Sequence, residues 1–216
     1  MARRRLPNLK RRRYRREPKR RFYVVCEGKN TEPTYFNALR ATLANALIEV
    51  NTVAGVGVPQ TVASTAVALA RDLGLNPESS KELSSFEEQD EVWAVFDRDD
   101  HPNFASAVSR CHHAGVGVGR SNPCFEIWLI LHETDYDKPD DRKAVQSYLA
   151  KLRPEYDKKR GKVPDCADLV ARVEAAEARA ATQLKRRDDE GAPFGCPSTT
   201  VGRLTGAIRL AAEEAT

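Results

Sequence analysis

The stretch Glu91-Val92-Trp93-Ala94-Val95-Phe96-Asp97-Arg98-Asp99-Asp100 decides how the rest of the chain is read. Its first half is short, apolar and rich in β-branched and aromatic residues, the pattern of a strand buried on both faces. It then breaks into carboxylates at Asp97, Asp99 and Asp100. Side chains at i and i+2 of an extended segment point the same way, so Asp97 and Asp99 can converge on one point. Two hard oxygen ligands just past a buried strand suit Mg²⁺ or Mn²⁺, with water and phosphate completing the shell. Asp is equally at home where any strand hands over to a turn. A further acid from elsewhere in the chain is what would make the pair a site.

Upstream, Arg21-Phe22-Tyr23-Val24-Val25-Cys26-Glu27-Gly28 is a second short apolar run that ends in an acid. Asn30-Thr31-Glu32-Pro33 reads as a helix start, with Asn30 or Thr31 as cap and Pro33 in the first turn. The following helix, expected over 34–47, carries Tyr35, Leu39, Leu43 and Leu47 as a core-facing stripe. Ile48–Val53 is the next strand. An Ala/Val/Leu-rich helix over 61–73 is stopped by Gly74 and Asn76-Pro77. After the acidic strand come a helix over 104–114 and a short strand over 116–119. Strands alternating with helices predict an α/β domain with a roughly four-stranded, mainly parallel sheet flanked by helices on both faces. In such sheets ligands bind beyond the carboxyl ends of the strands. Glu27 lies at such an end and is the partner that Asp97 and Asp99 need.

From Ser121 the pattern becomes helical. Ser121-Asn122-Pro123-Cys124-Phe125-Glu126 leads into Ile127-Trp128-Leu129-Ile130-Leu131-His132, too apolar to be anything but buried. Glu126 is either a first-turn acid favoured by the helix dipole or a further site carboxylate. Helices follow at about 141–152, 165–187 and 201–214, the last preceded by a cap-like Ser198-Thr199-Thr200. Three segments result: a basic arm over 1–21, an α/β core over 22–135, and a helical extension over 136–216 packed on it, serving as lid or docking platform.

A length of 216 residues with 41% hydrophobic and 31% charged composition fits a globular protein with a real core. No apolar run is long enough to span a bilayer, so a cytoplasmic protein without membrane contact is expected. Five scattered cysteines without a Cys-x-x-Cys pair argue against a disulfide framework and a structural zinc site. The adjacent His112-His113 point apart on a helix and make a poor ligand pair. Overall charge is +4, yet residues 1–21 hold twelve Lys/Arg against Glu17 alone, leaving −7 on the remainder. Such a block does not pack on itself and favours a polyanion. Arg11, Arg12, Arg13, Arg15, Arg16, Lys19 and Arg20 are therefore candidate nucleic-acid contacts of the salt-sensitive, sequence-independent kind; a solubilising tail is the plainer alternative.

With Glu27-Gly28 after one strand and Asp97-x-Asp99 after another, the chain resembles a Toprim domain, the Mg²⁺-dependent module shared by topoisomerases, primases and OLD-type and small recombination nucleases. Three ordered motifs narrow this further. Val25-Cys26-Glu27-Gly28-x-x-Thr31-Glu32-Pro33-x-Tyr35-Phe36, Val92-Trp93-x-Val95-Phe96-Asp97-Arg98-Asp99 and Ser121-Asn122-Pro123-Cys124-Phe125-Glu126-x-Trp128-Leu129-x-Leu131-His132 resemble the RloB-like family. Tyr156-x-Lys158 and Pro197-Ser198-Thr199-Thr200-Val201 also fit it. The resemblance implies a metal-dependent nuclease effector of abortive-infection phage defence, restrained by an AAA-type ATPase partner until infection is sensed.

Phosphodiester hydrolysis needs a metal to offset phosphate charge and activate water. Asp97 and Asp99 would be ligands, and Glu27 a ligand or the general base or acid, as the matching Toprim glutamate is usually assigned. Gly28 would let backbone approach a phosphate, and Lys29 or Lys158 would stabilise developing negative charge. Asp100, Asn122 and Glu126 are further candidates, and Ser198 and Thr199 could bond phosphate or simply cap a helix. Two rivals stand beside this reading: another Mg²⁺-dependent phosphoryl or nucleotidyl transfer on the same site, and a non-catalytic nucleic-acid-binding adaptor. No Walker motif is present, so nucleotide hydrolysis would belong to the partner. A homo-oligomer is compatible with the sequence, which carries no signal of stoichiometry.

Overall fold

Apolar runs of five residues, Phe22–Cys26 and Val92–Phe96, make the two strands at the heart of the sheet, and their alternation sets its two faces. A computed structural model of the chain describes residues 20–43, 48–83, 87–98, 103–157, 159, 161 and 163–214. Asp99, Asp100, Lys158, Leu47 and the arm residues Arg11, Arg12, Arg13, Arg15, Arg16 and Lys19 lie outside the described residues.

Strands β1 (Arg20–Cys26), β2 (Ile48–Val53), β3 (Glu91–Asp97) and β4 (Gly117–Asn122) form a parallel sheet. The spatial order is β2-β1-β3-β4-β5. The sheet has five strands rather than four, because β5 (Ser198–Thr199) adds a two-residue antiparallel pairing to the end of β4. Ser198-Thr199 lacks the apolar alternation that betrays a strand. The capping expected there is also present: Thr199 Oγ1 accepts the Val201 N–H at 3.2 Å.

Helices α2 (Pro59–Leu73) and α3 (Phe104–His113) cover the face carrying Val25, Val92, Ala94 and Phe96. Gly74 ends α2 at φ +81°, where a side chain would be strained. The other face carries Phe22, Val24, Cys26 and Val95. It is covered by α1 (Thr31–Thr42), α4 (Glu126–Leu131) and α5 (Arg142–Leu152), and by α6 (Cys166–Val170), α7 (Val173–Asp189) and α8 (Val201–Glu214), all in one continuous apolar cluster. The C-terminal helices are thus a layer of the fold, sharing its core. The helix expected over 165–187 divides at Ala171-Arg172. Asp165 caps the first piece by accepting the Ala167 and Asp168 N–H groups, and Arg172 leaves helical geometry to reach Glu133 at 2.8 Å.

Two expectations at the N-terminal end are corrected. Arg20 belongs to β1 and pairs in register with Ile48. Its guanidinium lies 2.6 Å from Glu91 and 5.2 Å from the Phe22 ring centroid, engaged within the fold. Asn30 precedes α1 without a side-chain capping bond; Glu32 instead turns back to accept the Gly28 N–H at 3.0 Å.

Candidate active site

The two acids that terminate apolar strands do meet. β1 and β3 are neighbours, with Cys26 opposite Val95, so Glu27 and Asp97 emerge side by side at the carboxyl edge of the sheet. The Glu27 N–H donates to Val95 O at 3.0 Å, and the Asp97 N–H donates to Glu27 Oε2 at 3.0 Å. Each acid is held by the other's strand.

Three further groups close a cleft of about 150 Å³ around this pair. Glu32 enters from α1, Glu126 from the start of α4, and Arg142 from the start of α5. Glu126 accepts the Tyr156 hydroxyl at 2.6 Å and Gln146 Nε2 at 3.1 Å, which fixes it in the cleft wall. Glu126 is thus both a first-turn acid of α4 and part of the cleft wall. Arg142 Nη2 donates to Asp97 Oδ2 at 2.7 Å.

Four carboxylates beside one guanidinium leave an excess of negative charge in a poorly hydrated place. Burial pushes the Asp97 carboxyl well above its usual range; Arg142 opposes this, while Glu32, Glu126 and Glu27 add to it. Burial likewise raises Glu32, against the backbone bonds it accepts and with the help of Glu126 and Glu27. The donors of the cleft are all carboxylate oxygens, which fits Mg²⁺ or Mn²⁺. Among the described residues no three His, Cys, Asp or Glu side chains are grouped to hold a metal ion; Glu27 and Asp97 are the described pair next to which Asp99 follows in sequence.

The other predicted site residues divide clearly. Gly28 lines the cleft, but the space above it belongs to Glu32, whose carboxylate an added Cβ would strike. Lys29 is exposed and lays its stem along Gly55. Asn122 and Ser198 serve the neighbouring loop: Asn122 Nδ2 donates to Phe194 O at 2.7 Å, and Ser198 Oγ accepts from Arg120 Nη1 at 3.0 Å while donating to Gly195 O at 2.7 Å. Thr199 is buried between Ser121 and Arg120 O. Glu32 and Arg142 were not anticipated as site residues. Glu32 was visible only as a first-turn acid of the helix after the first strand; Arg142, within the charged run Asp140-Asp141-Arg142-Lys143, gave no signal.

A mostly parallel α/β sheet with helices on both faces, and an acidic cleft beyond the carboxyl ends of two adjacent strands, defines a Rossmann-like protein. Residues 22–208 match the family model described as RloB-like protein, and the chain belongs to that family. No curated protein and no solved structure matches it. No described helix is long and apolar enough to cross a membrane.

Proposed function

We propose that the protein is a metal-dependent nuclease that hydrolyses phosphodiester bonds in DNA or RNA. The observation that carries this reading is the convergence of Glu27 and Asp97, the Glu27 carboxylate accepting the Asp97 backbone N–H at 3.0 Å, in a cleft whose acids exceed its cations. Glu27 and Asp97, with Asp99, would hold Mg²⁺ or Mn²⁺. The ion's chemistry would be to offset charge on the phosphate and lower the pKa of a water. Glu32 and Glu126 would keep the local field negative, and Glu27 would take the water's proton where it is not itself a ligand.

Family membership supports the wider role, that of an abortive-infection effector in phage defence controlled by an AAA-type ATPase. The basic arm would supply salt-sensitive attachment to nucleic acid. The test is cleavage of DNA and RNA substrates in Mg²⁺ or Mn²⁺ by wild type and Asp97→Ala. A loss of more than roughly 100-fold is expected, since even groups outside the ligand set typically cost 10–100-fold. Equal cleavage by both proteins would overturn the reading.

A further inference from the structure

The central carboxylate of the cleft already holds a cation. Arg142 Nη2 lies 2.7 Å from Asp97 Oδ2. Arg142 is the first residue of α5, directly after Asp141, whose carboxylate caps the helix by accepting the Ala144 N–H at 2.8 Å. The helix start is thereby fixed, and it delivers the guanidinium to the acids from one side. The two partners are unequally buried. The Asp97 side chain is 10% exposed and ends a central strand, whereas the Arg142 side chain is 31% exposed on a long, rotatable stem. When this pair separates, the arginine is the member that moves.

Two physical facts say where it goes. A guanidinium and a divalent cation on one carboxylate repel each other strongly in a partly desolvated cleft. The same planar fork that pairs with carboxylate also pairs with phosphate. On the reading that the cleft is a metal site, we propose that Arg142 yields Asp97 to the divalent metal and becomes the positioning group for the substrate phosphodiester. Asp97 then has a cationic partner at both stages: the guanidinium in the resting protein, and the metal afterwards, with the guanidinium facing the phosphate oxygens. Cooperativity follows, because the departure of Arg142 from Asp97 serves both ligands. Binding of either one favours the other by the same factor.

The experiment is calorimetric titration of Mn²⁺ into wild type, Arg142→Gln, Arg142→Lys and Asp97→Asn, with and without the phosphodiester bis(4-nitrophenyl) phosphate. Arg142→Gln is expected to bind Mn²⁺ roughly tenfold tighter than wild type. Arg142→Lys, which keeps the charge, should track wild type. The phosphodiester should tighten Mn²⁺ binding to wild type by a larger factor than to Arg142→Gln. Equal Mn²⁺ affinity in wild type and Arg142→Gln, with binding lost in Asp97→Asn, overturns the role of Arg142 and leaves the metal site standing. Mn²⁺ binding that survives Asp97→Asn unchanged, or is absent from every variant, removes the metal site and this proposal with it.

Discussion

Glu32 returns its carboxylate to the Gly28 N–H and so shapes the cleft wall while adding charge to it. The fold raises its pKa, chiefly by burial. Ionised Glu32 therefore costs stability above that raised pKa and costs nothing below the unfolded value of 4.5. Glu32→Gln keeps an acceptor for Gly28 and discards the charge. Urea unfolding in EDTA should show the variant more stable than wild type at pH 8, with the advantage shrinking as pH falls toward 4.5; equal stability at pH 8 would count against the burial argument. His132 works in the opposite sense. Its Nδ1 lies 2.9 Å from Trp128 O, an acceptor only, so Nδ1 carries the proton and Nε2 accepts the Tyr35 hydroxyl at 2.9 Å. Burial lowers its pKa from 6.5 to about 4, opposed by the Trp128 bond and helped by Arg172 and Arg179. The neutral ring's contribution is complete above pH 6.5 and is lost as pH falls toward 4, on the order of 3 kcal/mol in all. The slope of stability against pH across that window should flatten in His132→Gln. Parallel slopes would show that another group governs it.

Elements differ in how openly the sequence announces them. β1 to β3 were legible because each is a short run rich in apolar or β-branched residues bounded by helix or turn signals, and α8 because its cap and apolar spacing agree; β4 was legible only in its Gly117–Gly119 start, since Arg120-Ser121-Asn122 carry no strand pattern. β5 was hidden: two polar residues form a strand only because β4 presents an edge to them. Glu27 and Asp97 were legible as acids ending apolar runs, whereas Arg142 reaches Asp97 across 45 positions that no local pattern spans. Ser198 illustrates the cost of reading locally. Its hydroxyl suits phosphate or a helix cap, yet it lies fully buried between Arg120 and Gly195 O. Arg120 is itself buried, and its pKa is lowered to about 10 by burial, then by Arg203 and Arg98. Ser198→Ala should cost about 1–3 kcal/mol in denaturant unfolding, the penalty for removing a partner from a buried polar group. An unchanged midpoint would show that water replaces the hydroxyl.

At the scale of the whole molecule, the sheet needs both helical layers. Phe22, Val24 and Cys26 are fully buried, and the cluster that buries them runs through α4 to α8. A chain cut after residue 135 would expose that face of the sheet. Such a fragment should lack near-ultraviolet dichroism and dispersed proton resonances; a native-like spectrum would show the first two thirds to be an independent unit. The same enclosure leaves α4 without an outward side, all six of its residues being buried. Substituting every position to every residue would map α2 as alternating bands of tolerance, three or four apart. Across α4 the map would show an unbroken block, so the segment delivering Glu126 to the cleft has almost no room to vary.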